Sequence, residues 1–354
     1  MGIKGLSTFL KKRYPELYTN EVHLSVFKYK KIAIDTSLFL YKFKAICGED
    51  GWISAFTNLV LVLRSNDIHC VFIYDTSAPI EKTVEREERR ERRDKLEKTV
   101  YELEYDFNIL ETTGIMSERL RELSDKIEKT STTPRRLLQP CDNKITIDDL
   151  REKIEKKKRQ VITVTKEDFE TSKRLFEILK IPYFDAPEEA EMLCSQLCKM
   201  GIVDGVLTED SDVLAYGCPV MLTKINTASE SCIVISYDKV LDMCNMTPEQ
   251  FLDFCIMCGS DYNKNIPKIG PVMSFKLIQE HGSVTGIPET IDTSILNYNR
   301  TREIFTQKYT GHIKRIPYCA IPDFSLVDEF LFKNNIRISF DKFKKSMTIN
   351  FEFN

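Results

Sequence analysis

Seven carboxylates fall in five short clusters, each where an apolar run ends or a helical run begins. Asp35 closes Lys31-Ile-Ala-Ile-Asp35, and Asp75 closes Val71-Phe-Ile-Tyr-Asp75. Glu189 and Glu191 lie in Ala186-Pro-Glu-Glu-Ala-Glu191, Asp210 and Asp212 in Leu207-Thr-Glu-Asp-Ser-Asp212, and Asp261 in Cys258-Gly-Ser-Asp-Tyr262. If all seven converge they need compensating cations, because two like charges about 4 Å apart repel by roughly 4 kcal/mol at an effective dielectric of 20. A donor set made only of oxygens favours Mg²⁺ or Mn²⁺ over zinc. Two such ions roughly 3.5 to 4 Å apart form the arrangement that stabilises the attacking and leaving oxygens of phosphodiester hydrolysis. One cluster alone is equally well read as a helix cap or a turn. Five clusters in one chain are not.

The elements that must position these residues are short apolar strands alternating with helices, which favours a parallel α/β sheet. Strands are expected at 30–35, 69–74, 203–208, 219–225 and 231–235, and a helix over 36–45. In open sheets of this kind ligands bind outside the carboxyl ends of the strands, so Asp35, Asp75 and Asp210 would gather at one edge. Glu189 and Glu191, two apart, would point about 200° from each other on a helix. Both reach one ion directly only from a first turn; otherwise one of them acts through water.

Between Asp75 and Glu189 the chain changes character. Residues 81–104 are dense in both charge signs and good helix formers, 106–143 has weak periodicity with turn residues such as Thr132-Thr-Pro134, and 147–159 is again helical and strongly basic. This stretch reads as an insertion that leaves the core and returns to it. Thr165 with Asp168 caps the returning helix, which stops before Ile181-Pro182. Thr247-Pro-Glu-Gln250 has the form of a capping box for a helix over 249–258.

The 354 residues, 42% hydrophobic and 30% charged, suit a folded protein of about two domains. A net charge of −3 does not exclude a DNA partner, because Arg151, Lys153, Lys156, Lys157, Lys158 and Arg159 form a local basic patch. Eleven cysteines, an odd number without a secretory signal, are expected to be reduced thiols in an intracellular setting. Cys194/Cys198 and Cys255/Cys258 are expected to pack inside helices, since four histidines without paired spacing do not complete a zinc site. No apolar run is long enough to span a membrane, and no membrane attachment is expected.

The motifs Met1-Gly-Ile-Lys-Gly-Leu6, Ile32-Ala-Ile-Asp-Thr-Ser37, Ala186-Pro-Glu-Glu-Ala-Glu191, Thr208-Glu-Asp-Ser-Asp212 and Leu252-Asp-Phe-Cys-Ile-Met-Cys-Gly-Ser-Asp-Tyr262 stand in the order found in flap endonucleases of the XPG family, which the chain resembles over nearly its whole length. The resemblance implies a PIN-like α/β fold: a central, mostly parallel sheet flanked by helices, with a helical arch and a helix-hairpin-helix element. It divides the chain into a nuclease region over 1–105 with the first arch helix, an arch insertion over 106–150, an internal nuclease region over 151–245, a helix-hairpin-helix element over 246–290 and closing helices over 291–354. It implies a structure-specific 5′ nuclease for branched DNA, using two Mg²⁺ ions held by Asp35, Asp75, Glu189, Glu191, Asp210, Asp212 and Asp261 and leaving 5′-phosphate and 3′-hydroxyl ends. Lys82 and Arg89 match the basic residues at the arch base that reach the scissile phosphate; a solvated helix face is their other reading.

DNA contacts are implied at Gly2, at Tyr41 as a base-stacking aromatic or else a core tyrosine, and at Lys268 and Gly270 in Asn265-Ile-Pro-Lys-Ile-Gly-Pro271, where the family's turn carbonyls also bind K⁺. Departures are Thr76-Ser-Ala-Pro79 after Asp75, where the family has a glycine and a proline pair, and Lys268 in place of the hairpin's first glycine. If that position needs a positive φ, Lys268 is strained. The C-terminus lacks the sliding-clamp motif, so clamp binding is not expected. The protein is expected to act as a monomer, in the nucleus of a cell or at a site of viral DNA replication. A Holliday-junction resolvase, a 5′ exonuclease and a non-catalytic junction-binding protein remain the other readings.

Overall fold

A computed structural model describes residues 2–130, 146–161, 163–309, 311, 313–336 and 338–348. Its seven strands are β1 Glu21–His23, β2 Lys31–Asp35, β3 His69–Tyr74, β4 Tyr183–Asp185, β5 Gly205–Leu207, β6 Val220–Asn226 and β7 Ser231–Ser236. The helices up to the return from the insertion are α1 Leu6–Arg13, α2 Thr36–Cys47, α3 Trp52–Ser65, α4 Thr83–Thr113, α5 Glu118–Thr130, α6 Ile147–Lys158 and α7 Lys166–Ile178. Those that follow are α8 Ala190–Lys199, α9 Asp212–Ala215, α10 Tyr237–Cys244, α11 Pro248–Cys258, α12 Pro271–His281, α13 Tyr298–Thr306, α14 Phe324–Lys333 and α15 Phe340–Met347.

The strands form one sheet in the order β1-β7-β6-β5-β2-β3-β4. The neighbours β5, β2, β3 and β4 run parallel, as does β6 beside β5, while β7 and β1 are antiparallel. Parallel pairing needs crossover helices on the faces, so the central strands are apolar on both sides: β3 is buried at all six positions. One core layer joins Ala33, Val71 and Val206 to α1, α8, α11 and α12. The other joins Ile32, Ile34 and Phe72 to α2, α3, α7, α14 and α15, with Phe72 stacked on Phe176 at 3.9 Å between ring centroids. These layers are the mostly parallel, helix-flanked sheet expected from the sequence. Cys194, Cys198, Cys255 and Cys258 are buried in α8 and α11, where their thiols pack as small apolar groups.

Local chemistry sets the helix starts. Thr165 with Asp168 and Thr247 with Gln250 both form complete capping boxes, as the sequence indicates, and Thr146 with Asp149 forms a third. The insertion departs from expectation. Helix α4 does not fade near residue 105 but continues to Thr113, and α5 fills a stretch read as weakly periodic. Leu103 and Phe107 of α4, Leu120 and Leu123 of α5, and Leu150 and Ile154 of α6 bury one another in a small separate core. That tertiary stripe supports helices whose charge-rich sequences show little periodicity. Thr132-Thr-Pro134 lies outside the described residues. Strands β1 and β4, three residues each, were not anticipated. Among the described residues no helix is long and apolar enough to cross a membrane.

Candidate active site

Parallel pairing places the carboxyl ends of β5, β2, β3 and β4 side by side, at the roughly 4.8 Å spacing of neighbouring strands. Asp35 is the last residue of β2, and Asp75 directly follows β3. The turn after β5 carries Asp210 and delivers Asp212 as the first residue of α9. The chain leaving β4 delivers Glu189 and Glu191 to the start of α8. Asp261 lies in the turn after α11.

Backbone and hydroxyl donors fix these side chains. Asp35 accepts from the Leu38 amide at 3.2 Å and the Thr208 hydroxyl at 3.2 Å. Asp75 accepts from the Ala190 amide at 2.7 Å, and Asp210 from the Asp212 amide at 2.9 Å. Glu189 accepts from the Tyr262 hydroxyl. Glu189 is the extended N-cap of α8, with φ −100° and ψ 141°, and Glu191 lies in the first turn. The 200° divergence of an ideal helix therefore does not apply to this pair.

The site is rich in buried negative charge. Asp35, Glu189, Asp210 and Asp212 are buried, whereas Asp75 is exposed. Burial, then repulsion by Asp75 and Asp210, pushes Asp35 up to about 8. Burial followed by repulsion from Asp35, Asp75 and Asp210 raises Glu191 well above its ordinary value. Asp212 is raised well above its ordinary value by burial and by Asp210, and Asp210 and Glu189 are raised chiefly by burial. Each shift marks a site that favours added positive charge.

Part of that charge comes from the foot of the insertion. Lys82 ends the 3₁₀ turn Ile80–Lys82 that leads into α4. Its ammonium lies 2.5 Å from Glu189, 3.6 Å from Asp261 and 5.0 Å from the centre of the Tyr262 ring. Burial opposes its charge, but Glu189, Glu191 and Asp212 outweigh that cost and raise its pKa. Arg89 Nη2, two turns along α4, donates to both Asp261 oxygens at 2.7 and 2.8 Å. Both side chains contact the carboxylate cluster.

The donor set fits hard divalent cations: it contains oxygen alone, and the buried Asp212 Oδ1 has no hydrogen-bond partner. The arrangement is open. Among the described residues no three His, Cys, Asp or Glu side chains already stand in ligating geometry, and Lys82 lies between Glu189 and Asp261.

Gly2 packs against this cluster with φ 81°, and a Cβ there would sit 2.0 Å from Asp210 Oδ1, so only glycine fits. Tyr41 is half exposed on α2. Gly270 is the N-cap of α12, and Lys268 sits in the turn before it at φ 66°, the left-handed conformation that its replacement of a glycine would strain. Sequence reasoning missed Tyr262 as the residue orienting Glu189. Its only sequence signal is adjacency to Asp261.

A chain that gathers carboxylates at the carboxyl edge of a PIN-like sheet, beneath a helical insertion carrying Lys82 and Arg89, has the architecture of a structure-specific nuclease. It belongs to the XPG family: residues 1–96 match the XPG N-terminal domain and residues 180–261 the XPG I-region. It is 31% identical to the probable RAD2-like endonuclease 369L of Invertebrate iridescent virus 6, over 96% of this chain and 90% of the relative. It is 33% identical to the putative RAD2-like endonuclease 095R of Frog virus 3, over 86% and 83%. Flap endonuclease 1 of Komagataella phaffii is 29% identical, over 86% and 77%. Among solved structures, the Rad2 catalytic core in complex with DNA covers 98% of this chain and 99% of its own at a TM-score of 0.66 and 17% identity. The flap endonuclease-1 of Methanococcus jannaschii covers 93% of each chain at 0.58 and 22%. At these identities the two structures support the fold.

Proposed function

We propose that the protein is a 5′ flap endonuclease that hydrolyses DNA phosphodiesters at single-strand/double-strand junctions, with 5′ to 3′ exonuclease activity as a related capability. The observation that carries this reading is the meeting of the β-edge carboxylates with Lys82 and Arg89 in one site. Two Mg²⁺ ions, for which Mn²⁺ can substitute, would be held by Asp35, Asp75, Glu189, Glu191, Asp210, Asp212 and Asp261 and would supply the charge neutralisation that phosphodiester cleavage requires. Lys82 and Arg89 supply further positive charge from the arch foot and orient the scissile phosphate. Tyr262 and the Ala190, Leu38 and Asp212 amides keep the carboxylates in place.

The duplex is proposed to lie against the turn at 265–270 and the start of α12, a helix N-terminus suited to phosphate. Lys268 adds a charge there, and exposed Tyr41 offers a stacking face. In that turn the Asn265 side-chain amide donates to the Ile269 carbonyl at 3.1 Å and the Ile266 carbonyl at 3.3 Å, so a K⁺ ion at these carbonyls would have to displace it. The similarity to iridescent-virus and Frog virus 3 endonucleases supports a role in viral DNA replication or repair.

The test is a panel of 5′ flap, nicked, blunt and four-way DNA, with and without Mg²⁺, using the wild type and Asp210→Ala. Flap cleavage that requires Mg²⁺ and is abolished in Asp210→Ala, with DNA binding retained, is expected. Full cleavage by Asp210→Ala overturns the site assignment. Preference for the four-way or blunt substrate replaces flap cleavage with resolvase or exonuclease activity. Binding of branched DNA without Mg²⁺-dependent turnover makes the protein a junction-binding member.

A further inference from the structure

Glu81, the residue before Lys82, has a place the site description does not account for. Its side chain is 13% exposed, its Oε1 accepts from Arg300 Nε at 2.6 Å, and its Oε2 is buried without a hydrogen-bond partner. Arg300 lies in the first turn of α13, nearly half exposed, with Nη1 on Glu303 at 2.8 Å. The same helix underlies the site from a second direction. Phe305 packs edge-on against Tyr262 and Tyr216, with ring centroids 5.2 and 4.9 Å apart, and these tyrosines share a 2.9 Å hydrogen bond. Tyr262 in turn donates to Glu189 and lies beneath the Lys82 ammonium. Thus α13 touches the carboxylate side through Phe305 and the arch foot through Arg300.

We infer that the Glu81–Arg300 ion pair is a latch that positions Lys82, holding the 3₁₀ turn Ile80–Lys82 against α13 so that the ammonium enters the carboxylate site. The inference rests on the nuclease reading for the reaction that Lys82 serves. The turn has no buried apolar side chain of its own: Ile80 is 81% exposed. Together with the Lys82 ammonium, the ion pair fastens it to the body of the protein. The two partners are unequal. Removing Arg300 leaves a mostly buried carboxylate without its cation, and that carboxylate turns toward water, drawing the adjoining Lys82 backbone with it. Neutralising Glu81 leaves Arg300 half in solvent and bound to Glu303, where it is satisfied.

The test compares Glu81→Gln, Arg300→Met and the exchanged double variant Glu81→Arg/Arg300→Glu. Single-turnover cleavage of flap DNA with Mg²⁺, substrate KM and thermal midpoint are measured for each. A half-exposed pair sets the scale, so Arg300→Met is expected to slow cleavage at saturating DNA by about three- to fivefold and Glu81→Gln by less. KM and thermal midpoint are expected to stay at wild-type values, and the exchanged pair to recover most of the rate. Equal losses in the single variants with no recovery in the double, or a rise in KM or a fall in stability that accounts for the rate, overturns the latch.

Amide hydrogen exchange over residues 80–90 provides a readout without turnover. Faster exchange in Arg300→Met, restored in the exchanged pair, is expected even if the wild type cleaves no DNA, which would defeat the nuclease reading alone. Unchanged exchange defeats the latch.

Discussion

Replacing Lys82 by methionine keeps the aliphatic stem over Tyr262 and removes only the charge. The ammonium lies 2.5 Å from Glu189 and 3.6 Å from Asp261 and is 12% exposed at the side chain. Breaking a buried pair by deleting one partner costs about 3 to 5 kcal/mol, because the other charge is left uncompensated. The lower end applies here: burial already raises Glu189, so it can take up a proton in place of its cation. Without divalent ions, Lys82→Met is expected to lose about 3 kcal/mol of unfolding free energy in urea at neutral pH. With saturating Mg²⁺ the deficit is expected to shrink below about 1 kcal/mol, since the ions proposed to bind the same carboxylates would supply the missing charge. Single-turnover flap cleavage is expected to fall by about 10² to 10³, the scale of losing one preorganised electrostatic group, while DNA affinity changes little. An equal stability loss with and without Mg²⁺, or cleavage within tenfold of wild type, would refute the proposal that Lys82 sits among carboxylates that hold metal.

Two further substitutions probe backbone geometry. Lys268→Gly is expected to stabilise the protein by about 0.5 to 1 kcal/mol in urea unfolding, because relief of the φ 66° strain exceeds the added entropy of glycine; Lys268→Ala, which keeps the strain, is expected to show no such gain. Gly2→Ala forces a Cβ to within 2.0 Å of Asp210 Oδ1 unless the chain moves, so cleavage is expected to drop at least tenfold, which corresponds to roughly 1.4 kcal/mol of barrier. A thermal midpoint within a few degrees of wild type would locate the Gly2 effect in the site.

Interactions that close within a few residues were legible without the fold. The capping boxes at Thr165 and Thr247 join residues three apart, and Asp35 and Asp75 directly follow apolar runs, so neighbours in sequence suffice to define them. Strand β4 was not legible, because its three residues carry no pattern and are ordered by pairing with β3. The extent of α4 and the presence of α5 were hidden for a related reason. Their stripe of Leu103, Phe107, Leu120 and Leu123 acquires meaning only when α6 returns to cover it.

By itself the sequence identified the family and the candidate chemistry: oxygen-only donors repeated at strand ends, arranged in motifs of the XPG nuclease family, suit the proposed site for hard cations and phosphodiesters. Only the tertiary structure decided how those donors meet. The β5-β2-β3-β4 pairing aligns residues as far apart as Asp35 and Asp210, and the turn after α11 brings Asp261 across to Arg89. The same packing seats Lys82 over Tyr262 and ties Glu81 to Arg300, a contact 219 residues apart in the chain. The physical reason is that ligand type is a property of a side chain, whereas convergence is fixed by strand register and helix packing, which join segments distant in the sequence.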